Sequence, residues 1–247
     1  ARCAAVADRS WAQLRQAAGY DGAPRRPLAP QPAPLAGAPA FSLRHEASFV
    51  APLEVGQRFR AKLAARPVGK AVAPVQWRLF GPDDRLVEKG QDATGRTVDL
   101  DIAARQAGVH LLVVRSGQTR ALVTLLSPHA ALAGRTVQMI SQTSPMFFHV
   151  PAGTARFQLT LRSPAPGETA RLRVLDPAGR EAALVQTGDR PEVVAAIKVP
   201  RDAAGRAWQV RLERADRGIL EDYSLSLDAA LPGFWSHAPD RLVGPAP

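Results

Sequence analysis

The 247-residue sequence holds a single cysteine, Cys3, so no disulfide within the chain can brace it and its stability must come from buried apolar surface. It has no run approaching the roughly 20 apolar residues that a bilayer-crossing helix needs, and no membrane span is expected. Aromatic residues are scarce at 6%, and lysine is confined to Lys62, Lys70, Lys89 and Lys198. Acidic residues are also short, 22 against 32 basic, which leaves a net charge of +10. Such a balance suits a polyanionic partner, either nucleic acid or an acidic glycan. Setting aside the four lysines, the other 28 of the 32 basic residues are arginines scattered along the chain, with no block resembling a basic arm. Arginine, alanine and proline are together the residues of GC-rich codons, so codon usage alone is enough to produce much of the charge, and the composition does not separate that origin from a polyanionic partner. Nucleic-acid binding would also need basic residues interleaved with exposed aromatics, and no nucleic-acid partner is expected.

The motifs of common chemistries are missing as well. There is no G-x-S-x-G nucleophile turn and no Gly-rich phosphate loop. His45, His110, His129, His149 and His237 are far apart and lack zinc-ligand spacing. Paired carboxylates occur at Asp83–Asp84, Asp99 with Asp101, and Glu221–Asp222; Asp83, Asp84, Glu221 and Asp222 are therefore the candidates if a cation binds, and calcium is the cation they suit. Asp83–Asp84 also read as hairpin-turn residues. Most carboxylates fall in turns or on charged faces, unlike the apolar setting that raises the pKa of a glycosidase acid. No catalytic residue and no obligatory cofactor are expected in this chain.

What is present is strongly patterned. Ala7, Trp11, Leu14 and Ala18 fall on one helical stripe and Gly19 is placed to cap it, so residues 1–19 are predicted to form a helix, the end of an upstream domain. The sequence opens Ala1-Arg2-Cys3 without Met, which fits a piece of a longer protein. Residues 20–40 contain Pro24, Pro27, Pro30, Pro32, Pro34 and Pro39 among Ala and Gly, a semi-rigid linker. From Phe41 onward the apolar period becomes 2. Val75, Trp77 and Leu79 alternate with Gln76 and Arg78, and Phe157, Leu159 and Leu161 with Gln158 and Thr160. Trp208, Val210 and Leu212 alternate with Gln209 and Arg211, and Tyr223, Leu225 and Leu227 with Ser224 and Ser226. Val109, Leu111 and Val113 are assigned the inward side of another such strand, opposite His110 and Leu112. Turns such as Gly81–Asp84 and Asp176–Gly179 separate the strands at short intervals.

The two halves share landmarks. Phe59 corresponds to Phe157 at an offset of 98, Pro82 to Pro177 at 95 and Gly108 to Gly205 at 97, each within similar local sequence. The expected fold is all-β: two tandem antiparallel β-sandwiches of Ig or jelly-roll type, residues 41–133 and 134–247, with the boundary near His129 to Gly134.

Met146 to Phe157, Leu172 to Arg180, Ala207 to Leu212, Leu220 to Leu227 and Leu231 to Leu242 carry, in order, an aromatic strand ending in Val-Pro, an Asp-Pro-x-Gly hairpin, a Trp strand and a Pro-rich closing tail. This series resembles the C-terminal β-sandwich module of large bacterial secreted or periplasmic glycoside hydrolases, and the likeness spans roughly residues 146–245. It departs at Gly233-Phe234-Trp235, where the module has a Pro-Tyr-Leu-like stretch. The resemblance implies a secreted or periplasmic, non-catalytic region that stabilises or orients an upstream catalytic domain of the same polypeptide. Two alternatives stand beside it: a carbohydrate-binding module for an acidic polysaccharide, and part of a glycoside hydrolase whose active site is shared with the upstream domain. For the binding alternative, alternation places Trp77 and Trp208 in the core and leaves the surroundings of Trp235 open, so Trp235 is the candidate sugar platform, with Tyr223 and His237 as its candidate companions.

Overall fold

The computed structural model describes residues 25–27, 32, 35, 37–93 and 95–245. The helix expected over residues 1–19, and with it Cys3 and Trp11, lies outside the described residues, as does most of the linker. The short strand β1 (Arg25–Pro27) lies in that linker.

The first half contains β2 (Phe41–Leu53), β3 (Arg58–Arg66), β4 (Val75–Phe80), β5 (Leu86–Asp92), β6 (Thr97–Ala103) and the 18-residue β7 (Gly108–Leu125). Next come β8 (Ala131–Ala133), β9 (Thr136–Ile140), β10 (Met146–Val150), β11 (Arg156–Arg162), β12 (Arg171–Leu175), β13 (Glu181–Gln186) and β14 (Glu192–Lys198). The chain ends with β15 (Arg206–Glu213), β16 (Asp222–Leu227), β17 (Phe234–Trp235) and β18 (Val243–Pro245). The strands pair antiparallel, and the all-β expectation is met.

Two layers run the length of the molecule. One has the order β6-β3-β7-β2-β9-β16-β11-β14. The other runs β5-β4-β7-β2-β8-β17 and continues into β10-β15-β12-β13 through the Phe147↔Ser236 bridge, whose two backbone hydrogen bonds are 2.7 and 2.9 Å. Strands β2 and β7 serve both layers because they bend. The N-terminal part of β7 pairs with β4 and its C-terminal part with β3. The bend is built where His45 (φ 67°) faces Gly117 (φ 56°), with register shifts on either side.

The second half pairs in a parallel order, with β9 and β10 in the place of β2 and with β15 and β16 in the place of β7. Thus β5-β4-β7-β2 is matched by β13-β12-β15-β10, and β6-β3-β7-β2 by β14-β11-β16-β9. Phe59 on β3 and Phe157 on β11 are both fully buried at matching places.

Strand alternation produces the core. On β3 the inward set is Phe59, Ala61, Leu63 and Ala65, and on β11 it is Phe157, Leu159 and Leu161. Burying one such large side chain contributes about 1.5–3 kcal/mol. A single cluster of buried apolar side chains extends from Phe41 to Trp235, with members from both halves. The boundary expected at residues 129–134 carries β8, which pairs with both β2 and β17. Beside it, Leu43 of β2 pairs with Met139 of β9.

A smaller apolar cluster lies on the other side of β2 and β7: Val50, Val109, Leu111, Val113, Ala131, Ala133 and Phe234, together with Val243 of the C-terminal tail. This corrects the expected facing of β7. Leu112 and Val114 point into the main core, while Val109, Leu111 and Val113 belong to the smaller cluster, so this stretch is buried on both faces.

Candidate functional site

An open cleft of about 700 Å³ lies at the far end of the second half, where the β11–β12, β13–β14 and β15–β16 loops meet. Backbone bonds zip the first and last of these together: Thr169 N donates to Ile219 O at 2.8 Å and Ile219 N to Gly167 O at 3.0 Å. The Thr169 hydroxyl donates to Arg217 O at 2.5 Å. Gly218 makes this closure possible. Its φ is +80°, and a Cβ there would stand 2.6 Å from Thr169 Oγ1 and 2.7 Å from Gly167 O. Beneath the cleft, the buried Thr187 hydroxyl donates to Ser163 Oγ at 3.1 Å and accepts from Ala170 N at 2.9 Å.

The wall is polar and held in a fixed array. Arg171 donates to Asp216 and, through Nε and Nη2, to Gln186 Oε1 at 3.1 and 2.9 Å. Gln186 Nε2 in turn donates to Asp216 Oδ2 at 3.0 Å. Hydrogen bonds from Arg171 and then Gln186 hold the Asp216 carboxyl below the usual carboxylate range, so it is ionised at neutral pH. Exposed Asp189, Arg190 and Arg217 complete the rim. Arg171, Gln186 and Asp216 hydrogen-bond to one another, and the exposed guanidinium groups of Arg190 and Arg217 supply the positive charge at the rim. Behind the same loops, Asp222 pairs with Arg44. Burial and the nearby Asp222 and Glu221 raise the Glu168 carboxyl above its ordinary value.

The residues expected to bind sugar lie elsewhere. Trp235 is 0% exposed; its ring packs edge-on against Phe148 at 5.7 Å and its indole N–H donates to Gly134 O at 3.0 Å. Tyr223 is 1% exposed, and its hydroxyl donates to Ser141 O at 2.8 Å. Burial pushes its phenol pKa far upward. Neither ring presents a face to solvent, so neither forms a stacking platform. The physical reason is their position at the seam between the halves, where the core is continuous. His237 stacks on Phe41 with ring centroids 3.8 Å apart, and its Nδ1 lies 3.4 Å from Pro145 O. Burial lowers its pKa to about 4.

The calcium candidates are divided between two places. Asp83 accepts from Arg85 N at 3.2 Å and from Gln106 Nε2 at 3.3 Å, beside Asp84 in a left-handed turn. Asp222 is committed to Arg44, with Glu221 next to it. Among the described residues, no group of three or more His, Cys, Asp or Glu side chains is placed to hold a metal ion. Sequence reasoning missed the Arg171–Asp216–Gln186 array, whose members lie 15 to 45 positions apart. The available signal was the set of turn glycines Gly167, Gly188 and Gly218.

No protein-family model matches the chain, and no curated protein matches it. Among solved structures, a β-glucuronidase from Ruminococcus gnavus in complex with uronic isofagomine aligns over 74% of this chain and 35% of its own, at 11% identity and a TM-score of 0.23. A glycosyl hydrolase family 2 member from Bacteroides cellulosilyticus aligns over 80% of this chain and 30% of its own, at 13% identity and a TM-score of 0.20. The stem and receptor-binding domain of spike protein P1 from bacteriophage PM2 aligns over 79% of this chain and 99% of its own, at 10% identity and a TM-score of 0.20. The chain spans about a third of the length of the glycoside hydrolases it resembles.

Proposed function

We propose that this chain is a non-catalytic β-sandwich region of a secreted or periplasmic glycan-active enzyme, built from two copies of one β-unit, that holds and orients an upstream catalytic domain. The sequence resemblance over residues 146–245 supports the setting. The observation that carries the orienting role is the pairing of β1 with β18: Arg25, Arg26 and Pro27 lie opposite Pro245, Gly244 and Val243. The tail leading to β18 is anchored at several points. Arg241 donates to Ser127 O at 3.1 Å, and Leu242 and Val243 are buried. On this reading a segment arriving from the N-terminal side is held to the sandwich at Arg25–Pro27 by its pairing with β18.

In the full-length protein, deleting residues 243–247 removes β18 and frees β1. The expected result is a larger radius of gyration by solution scattering and a lower inactivation temperature of the upstream domain. If both are unchanged, the orienting role is wrong.

A second reading, binding of an acidic polysaccharide, is favoured by one feature: the polar cleft with Arg190 and Arg217 at its rim. Retardation in affinity gels containing an acidic polysaccharide should then appear at low salt, weaken as salt screens the contact, and fall in an Arg190→Ala, Arg217→Ala double variant. Equal mobility of variant and parent would remove the cleft from consideration.

A further inference from the structure

The two layers end in four edge strands, β5 and β6 at one end of the molecule and β13 and β14 at the other. An unpaired edge invites pairing with another strand unless charges interrupt it. The first end is interrupted: β5 carries Glu88 and Lys89 at its centre, and β6 carries Asp99 and Asp101, which face Lys62 and Arg58 of β3. Strand β14 is different. It reads Glu192-Val-Val-Ala-Ala-Ile-Lys198, with charge only at its two ends and with Val194 47% exposed. Among the described residues it is paired with β11 alone.

The backbone parity of β14 follows from its flanks. Ser163 N donates to Pro191 O, and Val199 N donates to Ala155 O. Odd-numbered positions of this strand therefore direct their N–H and C=O groups toward β11. The groups of Glu192, Val194, Ala196 and Lys198 point to the open edge.

We propose that β14 pairs antiparallel with β14 of a second copy of this chain, about a two-fold axis at Ala195. That register is self-complementary. Glu192 of each copy faces Lys198 of the other, Val194 faces Ala196, and Val193 faces Ile197. The outward-directed backbone groups meet one another, because Glu192, Val194, Ala196 and Lys198 share parity with their partners. Parallel pairing would set Glu192 beside Glu192, and a slip of two residues would lose both ion pairs. A closed two-fold contact of this kind ends at a dimer and does not propagate into a fibre. The eight-strand layer ending in β14 would then continue into its partner's.

Sedimentation velocity across a micromolar concentration series tests the proposal, with far-UV circular dichroism and melting temperature as controls for folding. The chain is expected to reach twice its monomer mass. Glu192→Lys, which sets Lys against Lys198 of the other copy, is expected to return it to monomer. The double variant Glu192→Lys with Lys198→Glu is expected to restore the dimer. Val194→Pro removes an N–H that points away from β11 and is expected to give a monomer; should it fail to fold, the charge series decides. A monomeric parent chain overturns the proposal, even if it captures an added peptide of the β14 sequence. So does a dimer that survives Glu192→Lys, or a double variant that stays monomeric.

Discussion

Trp235 and His237 show how single residues at the seam hold the molecule together. Trp235 is two positions from a turn and outside any alternating run, so the sequence leaves its environment open; in the fold its indole closes the core between the halves. Trp235→Ala removes the contact with Phe148 and leaves Gly134 O without its donor. The expected loss is about 3–5 kcal/mol of unfolding free energy, read from urea titration. His237 adds a pH dependence. Its folded pKa of about 4 lies below its ordinary 6.5, so the unfolded chain takes up a proton that the folded chain resists. Stability from this group is complete above pH 6.5 and is lost as pH falls toward 4, a change on the order of 1–3 kcal/mol. Burial lowers His110 and His149 in the same direction. A His237→Gln variant should show a shallower fall in melting temperature between pH 6.5 and 4 than the parent. Identical slopes would mean that the ring is not part of the acid response. The Asp216 carboxyl, held low by hydrogen bonds from Arg171 and Gln186, begins to lose its contribution only from about pH 5 downward, so it adds to the acid end of that window alone.

At the level of elements, the sequence was legible wherever a strand has one dry face and one wet face. The inward residues of β4, β11 and β15 follow from alternation because solvent enforces that period. The alternation failed on β7, where His110 and Leu112 were expected to oppose an inward face. The tail dries the outer face there, so no polar residue marks it. The bend that lets β2 and β7 join both layers was also hidden, since its residues, His45 and Gly117, are far apart in sequence and meaningful only as a pair. The cleft was illegible for the same reason. Its charged array is assembled from three loops, and only the turn glycines hinted at their geometry. Gly218 gives that inference a test. Gly218→Ala meets both an unfavourable φ and a clash with Thr169, at an expected cost of about 1–3 kcal/mol. Hydrogen exchange should speed up first at Thr169 and Ile219, whose amides close the loops, and rates confined to the parent's values would show that the loops close without it.

For the whole molecule, the decisive feature is that the two halves share their layers and their core. Separate sandwiches would each bury an independent set of side chains and unfold at their own temperatures. Here Leu43 sits beside Met139, Phe41 stacks on His237, and β8 and β17 fill the seam between β2 and β10. Removing residues 41–133 would strip Val137, Met139 and the β9 edge of their cover and leave β17 without β8. Calorimetry of the described chain should therefore show one transition whose van't Hoff and calorimetric enthalpies agree. A fragment of residues 134–247 should expose the seam, bind a hydrophobic dye and melt well below the parent. Met139→Ala, which acts from inside that seam, should lower the single transition by about 2–5 kcal/mol without splitting it. Two resolved transitions, one of them untouched by Met139→Ala, would instead show that the halves are independent domains in contact.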